Sequence, residues 1–151
     1  MPDDLGQFLS LSAALVGLGI SDLKPRNTPL DIPEQYLYTL KANVPAETVE
    51  QLFESFASSA ARLGVSGAAG DILRDVELGP IARSIMKLWL LSAWYDPKAP
   101  SQPVRVVSSQ AYKEGLVWKV MQSHPIGYSM WSFGYWAEDP PPLKDFFPPP
   151  K

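Results

Sequence analysis

The chain contains few of the side chains that catalysis requires. Its one histidine, His124, precedes Pro125 in a stretch that we expect to be a loop, and the sequence has no cysteine. Serines are numerous, but the G-x-S-x-G pattern of a nucleophile elbow does not occur. A small hydrolase that uses His124 as its base is therefore a weak alternative. We predict that the chain is not an enzyme and has no catalytic residues of its own.

Two other groups of residues could in principle bind a ligand. Gly64 to Gly70 is glycine-rich, but it follows a predicted helix and lacks the lysine of a phosphate-binding loop. Asp71, Asp75 and Glu77 lack the spacing of a calcium loop, and such acids are common at helix ends. Without cysteine, thiolate zinc sites, iron–sulfur clusters and C-x-x-C-H haem sites are excluded. We expect the chain itself to bind no flavin, haem or metal.

Size and charge restrict the class of protein further. The 151 residues suffice for one domain with its own core, and the hydrophobic share of 46% is ordinary for a globular protein. A net charge of −3 provides no cationic surface for DNA or RNA. No apolar run approaches the ~20 residues of a membrane span. We expect neither a nucleic-acid partner nor a direct membrane span.

Apolar residues at three- and four-residue spacing predict an all-α fold. The expected helices cover residues 3–18, about 33–40, 45–63, 71–76, 81–95 and 109–122. The 81–95 segment is apolar almost all round, which is typical of a helix buried at the centre of a bundle. In the last helix, Tyr112, Leu116, Val120 and Met121 are expected to face inward. We interpret residues 64–70 as a flexible joint and residues 104–107 as too short and isolated to form a sheet.

The predicted architecture is a single-domain helical bundle followed by an extended aromatic and proline-rich C-terminal segment. The helical domain is expected to span residues 1–137. Residues 138–151 contain too many prolines for a helix or strand and are expected to form an extended tail.

Large apolar side chains are concentrated just before this tail. We call them, together with one proline, the aromatic strip: Tyr128, Met130, Trp131, Phe133, Tyr135, Trp136 and Pro140. Removing an aromatic side chain from water is worth roughly 1.5–3 kcal/mol, so either the protein's own helices or another protein must cover the strip. We predict that it binds a partner protein and that Trp131 and Trp136 contribute most. The alternative interface is the first helix around Phe8.

Three short motifs resemble those of a known family. Phe8-Leu9-Ser10-Leu11-Ser12, followed by Leu15 and Gly17, looks like the opening helix of that family. The segment from Ile85 to Trp89 looks like its apolar helix, although Leu90 stands where the family often has tyrosine. Tyr112 and Leu116, then Gly134-Tyr135-Trp136 and Pro140, resemble its closing helix and terminus. In these features the chain resembles the small (gamma), non-catalytic subunit of bacterial membrane-associated FAD-dependent sugar and polyol dehydrogenases, which include sorbitol, fructose and glucose dehydrogenases.

The resemblance implies a chain that binds a large, FAD-containing catalytic subunit of the glucose-methanol-choline type. In that family the small subunit supports the folding, maturation and export of its partner, and a multihaem c-type cytochrome completes the complex. A periplasmic location at the inner membrane is then expected, although the acidic start Met-Pro-Asp-Asp does not look like the family's twin-arginine signal. The alternative is a free-standing carbohydrate-binding or other protein-interaction module, in which Trp131, Tyr135 and Trp136 would stack on sugars.

Overall fold

The computed structural model describes residues 3–24 and 31–123, together with Asp139 and Pro142. Within these residues two short strands, β1 (Ala93–Tyr95) and β2 (Pro103–Val106), pair in an antiparallel sheet. Helices make up 71% of the described residues, which confirms the all-α prediction. The helices are α1 (Asp4–Val16), α2 (Ile20–Leu23), α3 (Ile32–Asn43), α4 (Ala46–Arg74), α5 (Leu78–Leu91), α6 (Ser109–Glu114) and α7 (Leu116–Val120).

Helix α5 is the centre of the bundle, as its apolar sequence predicts. It contacts α1, α3, α4, α7 and β1, and the side chains of Ile85 and Leu88 are completely buried. The ring of Trp89 stacks on Phe8 of α1 with a centroid distance of 6.1 Å and meets Tyr36 of α3 edge to face at 4.8 Å. Phe8 is completely buried in this cluster, so its own side chain contributes to the core.

The central helix is shorter than predicted, and the sheet that follows was not expected. Helix α5 ends at Leu91, and Ser92 adopts a left-handed conformation with φ 57°. The chain then continues as β1, in which Ala93 pairs with Val106 and Trp94 with Arg105. The prediction that residues 104–107 form no sheet is therefore wrong. Strand pairing depends on a partner that lies close only after the 96–102 turn has formed, so the local pattern does not reveal it.

Helix α4 differs most from its prediction. We expected a helix to end at Gly64, a flexible joint to Gly70 and a short helix capped by Asp71. Instead, helix continues on both sides of one residue, Gly64, whose φ of 75° and ψ of 168° are strongly disfavoured for residues with a Cβ atom. Asp71 thus lies within the second half of α4, where its carboxylate accepts hydrogen bonds from the side chains of Ser59 and Arg62 at 2.6 and 3.2 Å.

The fold explains why the glycine-rich stretch is helical rather than a flexible joint. Ala68, Ala69 and Ile72 are buried, so the second half of α4 contributes to the core. Small side chains allow this half to approach its neighbours closely, and burial of its apolar side offsets the low helix propensity of glycine. Local composition therefore indicated a loop, whereas tertiary packing favours a helix.

The last predicted helix is divided in two. Gly115 has φ −52° and ψ 130°, which ends α6 and starts α7 in a new direction. Leu116 is buried as predicted, and Ser108 caps α6 by accepting a hydrogen bond from the backbone of Ala111. Val120 is 56% exposed and Met121 is 61% exposed, so the prediction that these two side chains face inward is wrong. Both residues lie at the C-terminal end of α7, about one turn beyond Leu116, where the described residues leave them uncovered.

We expect Gly64→Ala to lower the free energy of unfolding by roughly 1–3 kcal/mol, because alanine would occupy a strained backbone conformation. The matched control is Gly70→Ala in the same helix. An added Cβ there would meet only the side chain of Arg74 at 3.6 Å or more, so the control should stabilise the protein by about 0.5–1 kcal/mol. Urea unfolding measures both changes. Equal effects of the two substitutions would contradict the bend at Gly64.

Candidate functional site

The predicted partner-binding residues lie outside the described residues. This holds for the whole aromatic strip, for His124 and for the predicted boundary between residues 137 and 138. The structure does describe the chain up to Ser123, directly before this region. The candidate site is therefore built from the segment that leads into the strip, residues 92–123, and from the contacts that attach it to the bundle.

A buried hydrogen-bond group attaches this segment to the core. We call it the Ser92 junction, and it consists of Tyr36, Ser92, Ala111 and Gly115. The hydroxyl of Tyr36 donates to Oγ of Ser92 at 3.1 Å, and Oγ of Ser92 donates to the carbonyl oxygen of Ala111. The junction thus connects α3, the end of α5 and the start of α6 through one serine side chain.

Backbone geometry reinforces the Ser92 junction. The backbone carbonyl of Ser92 accepts a hydrogen bond from the amide of Val107 at 2.9 Å. A Cβ atom on Gly115 would lie only 2.9 Å from Oγ of Ser92, so α7 can start here only with glycine at this position. In addition, Ser108 donates to the side-chain oxygen of Gln35 in α3 at 2.9 Å. Residues 107–115 are therefore held against the bundle at several points.

The Tyr36 hydroxyl has a strongly perturbed acidity. Its burial, and to a lesser extent the negative charge of Glu114, raise the pKa of Tyr36 to about 12. A phenol with so high a pKa stays neutral at physiological pH and acts as a hydrogen-bond donor rather than as a base. The Tyr36 hydroxyl therefore acts in the junction as a structural hydrogen-bond donor.

Sequence reasoning missed the Ser92 junction, although two signals for it exist. Ser92 is a polar residue within the apolar run that was predicted as one long helix. Tyr36 lies on the buried face of α3, and a buried tyrosine hydroxyl usually requires a hydrogen-bond partner. Neither signal identifies the other residue, because the two are far apart in the sequence and meet only in the folded chain.

Beyond the junction, α7 begins buried and ends exposed. Leu116 is buried, and the indole of Trp118 donates to the carbonyl oxygen of Tyr112 at 2.8 Å while the two rings meet edge to face. At the C-terminal end of α7, Val120 and Met121 are mostly exposed. An exposed apolar pair therefore lies shortly before the aromatic strip in the sequence, with six residues between them.

The β2 strand presents a second exposed apolar pair. Val104 and Val106 are both more than half exposed, and residues two apart in a strand lie on the same face. The nearby 96–102 turn is held by Lys87, whose Nζ donates to the carbonyl oxygen of Pro100 at 2.8 Å and lies 4.3 Å from the ring centre of Tyr95. Lys87 thus has a structural role at this turn.

Residues from both halves of α4 line a polar groove. The groove has a volume of about 610 Å³ and is lined by Glu54, Ser55, Ser58, Ser59, Asp71, Ile72, Arg74, Asp75 and Leu78. One oxygen of Asp71 accepts hydrogen bonds from the side chains of Ser59 and Arg62, and one oxygen of Asp75 accepts hydrogen bonds from the backbone amides of Glu77 and Leu78. The prediction of a helix-terminal role is thus right for Asp75 and wrong for Asp71. These intramolecular hydrogen bonds give both carboxylates partners, so neither carboxylate requires a ligand.

The described part of the chain contains neither a metal-binding cluster nor a membrane-spanning helix. In residues 3–24 and 31–123 no group of three or more histidine, cysteine or acidic side chains could hold a metal ion. No helix in these ranges is both long and apolar enough to cross a membrane.

Comparison with known proteins assigns no relative to this chain: no family model, no curated protein and no solved structure matches it.

We expect Tyr36 to make the protein sensitive to alkaline pH. A pKa of about 12 when folded and about 10 when unfolded leaves stability unaffected below pH 10, where both states are protonated. Between pH 10 and 12 the unfolded state loses the proton first, so the free energy of unfolding should fall by roughly 2–3 kcal/mol.

Urea unfolding at pH 8 and pH 11 measures about the first half of this decrease, roughly 1.4 kcal/mol. Tyr36→Phe lacks the ionisable group and should lose less stability between the two pH values, whereas Tyr38→Phe, at an exposed site, should behave like the unmodified chain. The same pH dependence in all three proteins would show that Tyr36 does not cause it.

Proposed function

We propose that this chain is a non-catalytic subunit that binds a larger protein through its C-terminal part. By the resemblance of its motifs, we propose further that it is the small subunit of a heteromeric FAD-dependent sugar or polyol dehydrogenase. Its role would be to bind the flavin catalytic subunit and support the folding, maturation and export of that subunit.

One observation carries the proposal of a binding role. The chain is fixed to its own core at the Ser92 junction, and Val120 and Met121 are then exposed shortly before the aromatic strip in the sequence. Apolar side chains that are exposed in one region are typical of protein–protein interfaces. Because residues 107–115 are already held against the core, the residues that follow lose less conformational entropy on binding.

The uses of the polar side chains also support a binding role over a catalytic one. Ser92 and Ser108 connect helices, Ser59 binds Asp71, and Asp75 caps the start of α5. Each of these hydrogen bonds serves the fold. The Tyr36 hydroxyl, whose acidity is the most perturbed of the described groups, stays neutral and buried.

The energetics of the strip are consistent with a stable complex. Association costs on the order of 4–15 kcal/mol in lost translational and rotational freedom. Three or four aromatic side chains at roughly 1.5–3 kcal/mol each can offset much of this cost. The proline-rich residues behind the strip lose comparatively little backbone entropy, because proline already restricts φ.

The same proposal assigns the chemistry to other subunits. FAD would be bound in the large glucose-methanol-choline type subunit, and a multihaem c-type cytochrome would carry electrons to the membrane. The chain itself would carry no flavin, haem or metal, and the complex would function in the periplasm at the inner membrane. Co-expression with the neighbouring reading frame and purification through a tag on this chain should yield a yellow complex.

We expect Trp131→Ala with Trp136→Ala to reduce the yield of the assembled, active dehydrogenase by at least tenfold. Losing two aromatic contacts of roughly 1.5–3 kcal/mol each would weaken association by more than the 1.4 kcal/mol that corresponds to a factor of ten. The yield of flavin subunit that co-purifies with the tagged chain measures the effect. Helix content, measured by circular dichroism, should remain nearly unchanged.

The control for this pair is Tyr38→Ala, which removes an exposed aromatic side chain of α3 and should leave assembly intact. If the double variant unfolds by itself, the strip belongs to the internal core. If it folds and assembles normally, the interface lies elsewhere. Binding of glycans by the isolated chain, lost in the same double variant, would instead favour the carbohydrate-binding alternative.

We also expect Val120→Ser with Met121→Ser to weaken the complex by roughly 1–2 kcal/mol, because both side chains would lose apolar contact with the partner. A matched control is Val76→Ser, since Val76 is 89% exposed in the connection between α4 and α5. Titration of the purified flavin subunit with each variant gives the change in Kd. If the Val120→Ser, Met121→Ser variant binds with the same affinity as the unmodified chain, α7 lies outside the interface.

A further inference from the structure

The indole nitrogen of Trp89 is an unusual buried donor. The Trp89 side chain is almost fully buried, and its Nε1 has no hydrogen-bond partner within the described residues. A buried donor without an acceptor costs about 1–3 kcal/mol. The Tyr36 ring lies edge to face with the indole, but an aromatic ring is only a weak acceptor. A stronger acceptor next to Nε1 would stabilise the core considerably.

Trp89 lines a narrow cleft between α2, α3, α5 and the α6–α7 segment. Leu23, Ile32 and Leu116 form apolar walls, and Asp22, Glu114 and Lys119 bring polar groups to it. The space amounts to about 10 Å³, close to the minimum of about 10–15 Å³ that one water molecule needs. The cleft is therefore too small for a flavin, a sugar or a peptide, and the class of ligand that fits it is water.

A buried water also needs acceptors for its own hydrogens. Glu114 lines the same cleft as Trp89, and its negative charge also acts on the neighbouring Tyr36. The carboxylate of Glu114 accepts one hydrogen bond from Gln110, at 3.4 Å, and an ionised carboxylate can accept about four. It therefore retains the capacity to accept from a water molecule.

We propose that one long-lived water molecule occupies this cleft, accepting a hydrogen bond from Nε1 of Trp89 and donating one to the carboxylate of Glu114. This water connects the central helix α5 to the end of α6. The inference rests on the described core alone and is independent of the proposed function.

Water–protein NMR on the full chain, labelled with ¹⁵N-tryptophan, tests the proposal. Contacts to the rings of Phe8 and Tyr36 assign the Trp89 indole signal. We expect its proton to show NOE and ROE cross-peaks to water of opposite sign, which distinguish a water held in the protein from the rapidly exchanging water of the surface. Trp118, whose indole donates to the carbonyl oxygen of Tyr112, should show no such pair.

Substitution of Glu114 tests the second hydrogen bond. In Glu114→Ala the opposite-sign pair at Trp89 should be lost, whereas Glu114→Gln keeps an acceptor oxygen and should retain it. Glu47→Ala, in the first turn of α4, is the control for removal of an acidic side chain. Absence of the pair in the unmodified chain, or its persistence in Glu114→Ala, would overturn the proposal. An upfield-shifted indole proton without water contacts would show a bond to the Tyr36 ring instead.

Discussion

The burial of α5 on several sides is the constraint on which the rest of the structure depends. A helix that is apolar almost all round can be stable in water only if other elements cover it. Helices α1, α3 and α4 cover much of its surface, and Phe8 and Tyr36 place their rings against Trp89. Because the core is close-packed, the positions of these helices are mutually dependent. The C-terminal segment then completes the cover through α7.

The end of α5 decides how that segment is attached. Ser92 leaves the helix with a left-handed conformation, and its side chain and backbone bind Tyr36, Ala111 and Val107. One residue thus ends a helix, starts β1 and fixes α6. A buried polar group of this kind is stabilising only when its partners are in place, so the junction also specifies a single arrangement for residues 107–115. This fixed arrangement is what gives the exposed C-terminal end of α7 a defined position.

The proposed function follows from the contrast between this ordered attachment and the exposed apolar side chains that come after it. A catalytic protein concentrates polar groups with perturbed acidity in a cleft. In the described chain the strongly perturbed group is Tyr36, and burial makes its hydroxyl a structural donor. By contrast, Val120 and Met121 expose apolar area on the last described helix. The balance of these features favours binding over catalysis.

The sequence by itself determined the all-α class and the central position of the helix predicted at residues 81–95, because helix periodicity is a local property. Only the tertiary structure decided the bend at Gly64, the left-handed turn at Ser92, the β1–β2 pair and the outward position of Val120. Each of these depends on atoms that are distant in the sequence: the second half of α4 is helical because it buries Ala68 and Ile72, and β2 exists because β1 lies beside it. The aromatic strip lies outside the described residues, so its role still rests on the sequence alone. Composition predicts that its side chains are covered, whereas the identity of the covering surface is a property of the assembled fold.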